Sequence, residues 1–221
     1  MTFSVVARDP GSGSFGVAIA TARPSVGARS AFVTAGVGAC ATQAIVNPAL
    51  AGAVLAGLTG AAGGDADAAL RAALADDPGA ARRQVLLAGP DGTAAHTGDE
   101  VAGWNGHLVE PDVAVGGNLL ADGEPLPAML AAFHACPGDL ADRLLAALAA
   151  GDAAGGDSRG RESAALLVVD DRPWPAVDLR IDHDADPVGA LGRLLTRWRT
   201  HWTAYDETGV FVPADPPGAV R

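Results

Sequence analysis

Thr2 heads the run Thr2-Phe3-Ser4-Val5-Val6-Ala7-Arg8-Asp9 and carries the first chemistry the chain offers. A threonine hydroxyl attacks a carbonyl only with a base at hand. A methionine before a small residue such as threonine is a start that cellular aminopeptidases trim, and trimming would leave Thr2 with both its hydroxyl and a free α-amine. Such an amine, with a pKa of about 7.7–8.0, is partly neutral at physiological pH. Because it belongs to the same residue, positioning it costs little entropy. The plain alternative is that Thr2 fills a β-branched position at the start of a strand. Gln43 and Asn118 are uncharged amides inside otherwise apolar stretches. Buried polar groups need partners, so each is either a hydrogen-bonding residue of the core or a contact to substrate or oxyanion.

Other motifs fail on context. Gly11–Gly16 spells GSGSFG and matches G-x-G-x-x-G, but a strand-like Val-Ala-Ile-Ala follows it where a dinucleotide site needs a helix. It reads as a glycine-rich hairpin turn. Gly156–Gly160 spells GDSRG, the letters of a serine-hydrolase elbow. A helix precedes it and a strand follows, the reverse of what an elbow requires, so Ser158 is rejected as a nucleophile. The five histidines are scattered and no cysteine joins them at zinc spacing. Asp182–Asp186 reads as an acidic loop capping the last helix, so no metal is expected.

The elements that must position these residues follow from periodicity. Alternation from Phe3 to Arg8 predicts a strand with Phe3, Val5 and Ala7 on one face, and a turn over Asp9–Ser14 predicts a hairpin. Residues 31–43 continue in extended style. Asn47-Pro48 marks an N-cap and first helical position, with Leu50, Val54 and Leu58 on one side. A second helix starts near Asp65. A hairpin about Pro90–Gly92 comes next, and residues 106–120 are extended. Helices are predicted over 125–136 and from Asp139 or Leu140 to Ala150. Strands then cover 163–169 and the segment around Val177–Ile181, and a last helix runs from Pro187 to about Trp202. Grouped strands and grouped helices predict an α+β fold of packed, mainly antiparallel sheets covered by helices. Residues 1–202 read as one domain and 203–221 as a C-terminal extension, surface-bound or disordered.

Composition narrows the function class. The 221 residues are 49% hydrophobic and 19% charged, enough for a sizeable core. A net charge of −11 argues against nucleic-acid partners. No 18-residue apolar run occurs, so no membrane partner and a cytoplasmic location are expected. Cys40 and Cys136, far apart, read as buried thiols. All fifteen basic residues are arginine, and the abundance of Ala, Gly and Arg looks like the codon usage of a high-GC bacterial genome.

Read in order, TFSVVARD, ACATQA, HTG, GGN and AAGGDSRGRESAALLVV resemble the bacterial domain of unknown function 1028 family, from about Thr2 to His201. That family in turn resembles N-terminal nucleophile (Ntn) hydrolases. The resemblance implies a four-layer αββα sandwich, an amidohydrolase with Thr2 as nucleophile, no cofactor, and a small-molecule substrate; a homo-oligomer is left open. It implies that residues 21–27, at the end of the first hairpin, and especially Arg23, lie near the site. It also implies that Asp157, Arg159 and Ser163 match the polar turn that orients the N-terminal amine. The catalytic candidates are thus Thr2, Arg23, Asp157 and Ser163; the substrate-binding candidates are Gln43, Asn118 and Arg159. Lysine is absent, so Arg23 would have to supply the positive charge near the nucleophile, and arginine cannot shuttle a proton. A non-catalytic small-molecule-binding protein on the same fold is the alternative. Arg8, Arg23, Arg159 and Arg161 are expected near the hairpin and the polar turn, where they could clamp a carboxylate.

Overall fold

The computed structural model describes residues 2–156, 159–172 and 174–201. β1 (Thr2–Asp9) and β2 (Ser14–Thr21) form the expected hairpin. Its turn is closed by the Asp9 carboxylate, which accepts from the Ser12 hydroxyl at 2.6 Å and the Gly11 amide at 3.3 Å. Gly13, at φ 72°, takes a left-handed conformation that glycine adopts without steric cost. The GSGSFG segment is therefore a hairpin turn.

Two antiparallel sheets are built around this hairpin. The first has six strands in the order β10 (Val177–Ile181), β9 (Ser163–Val169), β2, β1, β8 (Val113–Leu120), β7 (Trp104–Glu110). The second has the order β3 (Ala31–Thr34), β4 (Gly38–Ala44), β5 (Arg83–Gly89), β6 (Gly92–Thr97). The stretch 31–43, read as extended, is two strands with a turn at 35–37, where Gly36 has φ 68°. Residues 104–120 likewise split into the β7–β8 hairpin.

Each sheet carries helices on its outer face. α2 (Pro48–Thr59) and α3 (Ala66–Ala75) cover the second sheet; α4 (Pro125–Ala135), α5 (Leu140–Ala153) and α6 (Pro187–His201) cover the first. A four-residue helix, α1 (Gly27–Ser30), joins β2 to β3. Short polar side chains start three of these helices by accepting otherwise unpaired amides. Asn47 accepts from Ala49, Asp65 from Asp67 and Ala68, and Asp139 from Asp142.

Alternation along β1 divides the core as the sequence predicts. Phe3, Val5 and Ala7 pack with Met129, Phe133, Leu144 and Leu148 under the helices of the first sheet. Val6 faces the other way, into a layer of Val17, Ile19, Ala39, Ala41, Leu86 and Ala114 between the sheets. That middle layer is rich in alanine and valine, which allows the sheets to approach closely. Burial of each large side chain contributes about 1.5–3 kcal/mol. Cys40 is fully buried, and burial pushes its thiol pKa up to about 12; Cys136 is partly buried, and both are free thiols. Among the described residues no helix is long and apolar enough to cross a membrane. Trp202 and the extension 203–221 lie outside the described residues.

Candidate functional site

Pairing of the strands lines up one polar row across the first sheet. Thr2 lies opposite Thr21 on one side and Asn118 on the other, and Thr21 lies opposite Ser163. Residues paired across antiparallel strands share a face, and Ser4, on the same face of β1 as Thr2, bonds into the second sheet. A matching row in the second sheet runs Gln43, Gln84, Thr97. The rows are tied together. Ser4 donates to Gln43 Oε1 at 2.8 Å, Gln43 Nε2 to Gln84 Oε1 at 2.7 Å, and Asn118 Nδ2 to the same oxygen at 3.0 Å. Gln84 Nε2 lies within bonding distance of the Gly117 and Gly106 carbonyls and the Thr97 hydroxyl. Thr97 continues to His107 Nδ1 at 2.8 Å. A buried amide left without partners would cost about 1–3 kcal/mol; with partners, this chain makes a stiff base under one end of the sandwich.

A cavity of about 580 Å³ opens at that end. Its polar lining includes Thr2, Thr21 and Asn118, and the Thr2 and Thr21 hydroxyls are 3.0 Å apart. Val26, Ile45, Val101 and Leu119 supply apolar lining. Among the described residues, exposed charged side chains border it: Arg23, Arg29, Arg82, Arg159 and one acid, Glu100. Among the described residues no His, Lys or Asp lines it, and among them no group of three or more His, Cys, Asp or Glu side chains gathers to hold a metal ion.

Backbone strain is concentrated at this cavity. Among the described residues three non-glycine positions have φ in the left-handed region: Ser25 at 59°, Ala44 at 65° and Leu119 at 54°. All three line the cavity. Such conformations cost on the order of 1–3 kcal/mol each and persist where the surroundings fix them, as they do at ligand sites. The fixings are visible. Ser163 Oγ donates to the Arg23 carbonyl at 2.6 Å and accepts from the Val26 amide at 3.1 Å, and the Ser25 amide donates to the Asp182 carbonyl. Beyond Ala44, Ile45 N–H donates to the Arg82 carbonyl and its own carbonyl accepts from Arg83 Nη1 at 2.7 Å. Arg83 is braced by Asp77, Nε to Oδ2 at 2.8 Å. The hydrogen bond from the Arg83 guanidinium, with a further one from the Gly79 amide, holds the Asp77 carboxyl pKa down at about 2. The Leu119 amide donates to the Ala102 carbonyl.

Of the residues singled out in the sequence, Thr2, Arg23, Asn118 and Arg159 line this one cavity. Ser163 does not; both of its bonds hold the turn that carries Arg23. Gln43 is fully buried below the cavity, its two polar ends taken by Ser4 and Gln84, so it is an internal partner and not a wall. Asp157 lies outside the described residues, as does Ser158. Arg8 and Arg161, on segments expected near the hairpin and the polar turn, do not line the cavity: Arg8 pairs with Asp112 at 2.9 Å and Arg161 with Asp152 at 2.5 Å. In both cases a nearby aspartate supplies the counter-charge.

Gln84, Arg29 and Arg82 are missing from the sequence reading, which placed residues 21–27 near the site but gave Thr21 no role. Thr21 was within reach of it. Counting outward from the closing pair Asp9–Ser14 brings Thr21 opposite Thr2. Gln84, Arg29 and Arg82 carry no local signal, because their meaning depends on how the two sheets stack.

A family described as "Family of unknown function (DUF1028)" matches residues 2–191. The crystal structure of protein SPO2555 from Silicibacter pomeroyi, assigned to DUF1028, superimposes with a TM-score of 0.82 at 35% sequence identity. The match covers 90% of this chain and 86% of that one. No curated protein matches.

Proposed function

This chain belongs to the DUF1028 family, whose function is unknown, and from the geometry of its cavity we propose that it is an Ntn-type amidohydrolase acting on a small molecule. The observation that carries the reading is the Thr2 hydroxyl on the cavity wall, 3.0 Å from the Thr21 hydroxyl, at the head of a central strand. The two antiparallel sheets with helices outside support this reading, which implies an αββα sandwich. Thr2 requires its α-amine to be free, which means cleavage of the peptide bond before it.

The reaction then balances within one residue and the substrate. Thr2 Oγ attacks the amide carbonyl carbon while its proton passes to the neutral α-amine. The tetrahedral intermediate collapses, the C–N bond breaks, and the ammonium returns the proton to the leaving amine. A water molecule, deprotonated by the same amine, attacks the ester carbonyl; the ester C–O bond breaks, the ammonium returns its proton to Thr2 Oγ, and the acid is released. Thr21, donating toward Thr2 Oγ, steadies the negative charge that develops there. Asn118, fixed by Gln84 at 3.0 Å, orients the substrate's polar group, and Arg23 contributes positive charge but no proton. Ser163 is a positioning residue, acting through the Arg23–Val26 turn.

Turnover of a panel of small amides by wild type, Thr2→Ala and Thr2→Ser tests this. The alanine variant loses activity by about a thousandfold or more, whereas serine retains part of it. Equal activity of Thr2→Ala and wild type would falsify the mechanism. A second reading, ligand binding without chemistry, is favoured by one observation: among the described residues, the ionisable side chains lining the cavity are arginines and Glu100. If the nitrogen of Thr2 stays in a peptide bond, none of these arginines can accept a proton. Tight binding with no turnover in any amide or ester would establish that alternative.

A further inference from the structure

Among the described residues, arginines elsewhere find partners. Arg8 meets Asp112, Arg83 meets Asp77, Arg172 meets Asp170, and Arg199 meets both Asp139 and Asp142. Arg143 lies over the Phe133 ring at 4.1 Å. That is the expected outcome in a chain with 26 acidic residues and 15 arginines. Among the described residues, Arg23, Arg29 and Arg82 are the arginines whose guanidinium groups make no ion pair, hydrogen bond or ring contact, and all three line the same cavity. In an acidic molecule, three unpaired like charges gathered at one opening repel each other, and the one acid beside them, Glu100, offsets only a single charge.

Their placement adds direction. Arg23 follows β2 of the first sheet, and Arg29 lies in α1, two residues before β3 of the second. Arg82 ends the 3-10 turn Ala80–Arg82 that leads into β5, in the second sheet. The cavity is therefore bordered by cationic groups from both sheets, with apolar surface alongside: Ile45 is 53% exposed there, and Val101 and Leu119 line the cavity with it. A single anionic group answers one border only. Two anionic groups joined by a short carbon chain answer both, with the chain against the apolar wall.

We propose that the ligand of this cavity is a small dicarboxylate, held between Arg23 beside the first sheet and Arg82 beside the second, with Arg29 on the helix that joins them, and with its amide presented to Thr2. This deepens the amidohydrolase reading and rests on the same cavity, but it is tested without catalysis. Guanidinium groups stay charged at any working pH and pair with carboxylates bidentately, so recognition of the second carboxylate should be strong.

The test is calorimetric titration of the wild-type protein with glutarate, monomethyl glutarate and inorganic phosphate at low and high salt. Glutarate has no amide to cleave, so its binding reports on the arginines whether or not Thr2 is a nucleophile. Glutarate should bind about tenfold or more tightly than its monomethyl ester, and more weakly at high salt. Arg29→Met and Arg82→Met should each shrink that preference, and the double variant should abolish it; thermal melts confirm that these exposed substitutions leave the fold intact. Equal binding of diacid and monoester, survival of the preference in the double variant, or no binding of either at millimolar concentration would overturn the proposal. Phosphate binding more tightly than glutarate would overturn the dicarboxylate in favour of a phosphorylated ligand.

Discussion

A threonine hydroxyl does not ionise at neutral pH, so everything within hydrogen-bond reach of Thr2 Oγ decides whether it can react. Thr21 Oγ1 is the side-chain neighbour at 3.0 Å. Its role separates from packing in Thr21→Val, which keeps the shape and removes the oxygen. The expected result is a fall in kcat of about tenfold or more with KM within about twofold, because the lost contact strengthens only as charge develops on Thr2. A rise in KM at constant kcat would instead make Thr21 a binding residue. At this scale the sequence was informative about types and silent about neighbours. Thr2 and Asn118 stand out by chemistry. Gln84 does not, although it is fully buried and joins Asn118 to Gln43, Thr97 and two carbonyls. A glutamine opening a strand looks like any solvent-facing residue until its neighbours are known.

The ends of elements carry the strain and the charge. Ala44 closes β4 and Leu119 is the last residue but one of β8, while Ser25 sits in the β2–α1 turn. The brace behind Ala44 is the Asp77–Arg83 pair, whose side chains are only 6% and 13% exposed. Asp77→Asn leaves the Arg83 charge poorly compensated and should destabilise the fold by about 1–3 kcal/mol at neutral pH. The sign with pH follows from the direction of the shift. The folded pKa, about 2, is below the unfolded value of about 3.9. The stabilisation is therefore complete above about pH 5 and is lost as pH falls through about 2. Urea unfolding of wild type and variant should show a gap that narrows from about pH 5 downward; a gap independent of pH would assign the effect to packing. Most element boundaries were legible, because N-caps at Asn47, Asp65 and Asp139 and alternation in β1 are local signals. The breaks at 35–37 and between β7 and β8 were not: apolar residues surround the first, and the second is a short Pro111-Asp112 turn inside a long extended stretch.

Across the whole molecule, what the sequence could not give is the pairing of distant strands. β1 pairs with β8 more than a hundred residues away, and that pairing sets Asn118 beside Thr2. It could not give the sorting of charge either. A chain of net charge −11 places Arg23, Arg29, Arg82 and Arg159 around one cavity and pairs Arg8 and Arg161 elsewhere. The central claim is that Thr2 is an N-terminal nucleophile, and it requires a covalent state of the whole chain that mass spectrometry reads directly. Intact-mass and N-terminal peptide analysis of protein purified under native conditions should find a chain beginning at Thr2 with a free α-amine. Finding the nitrogen of Thr2 still joined to Met1, in protein that turns over an amide, would contradict the mechanism.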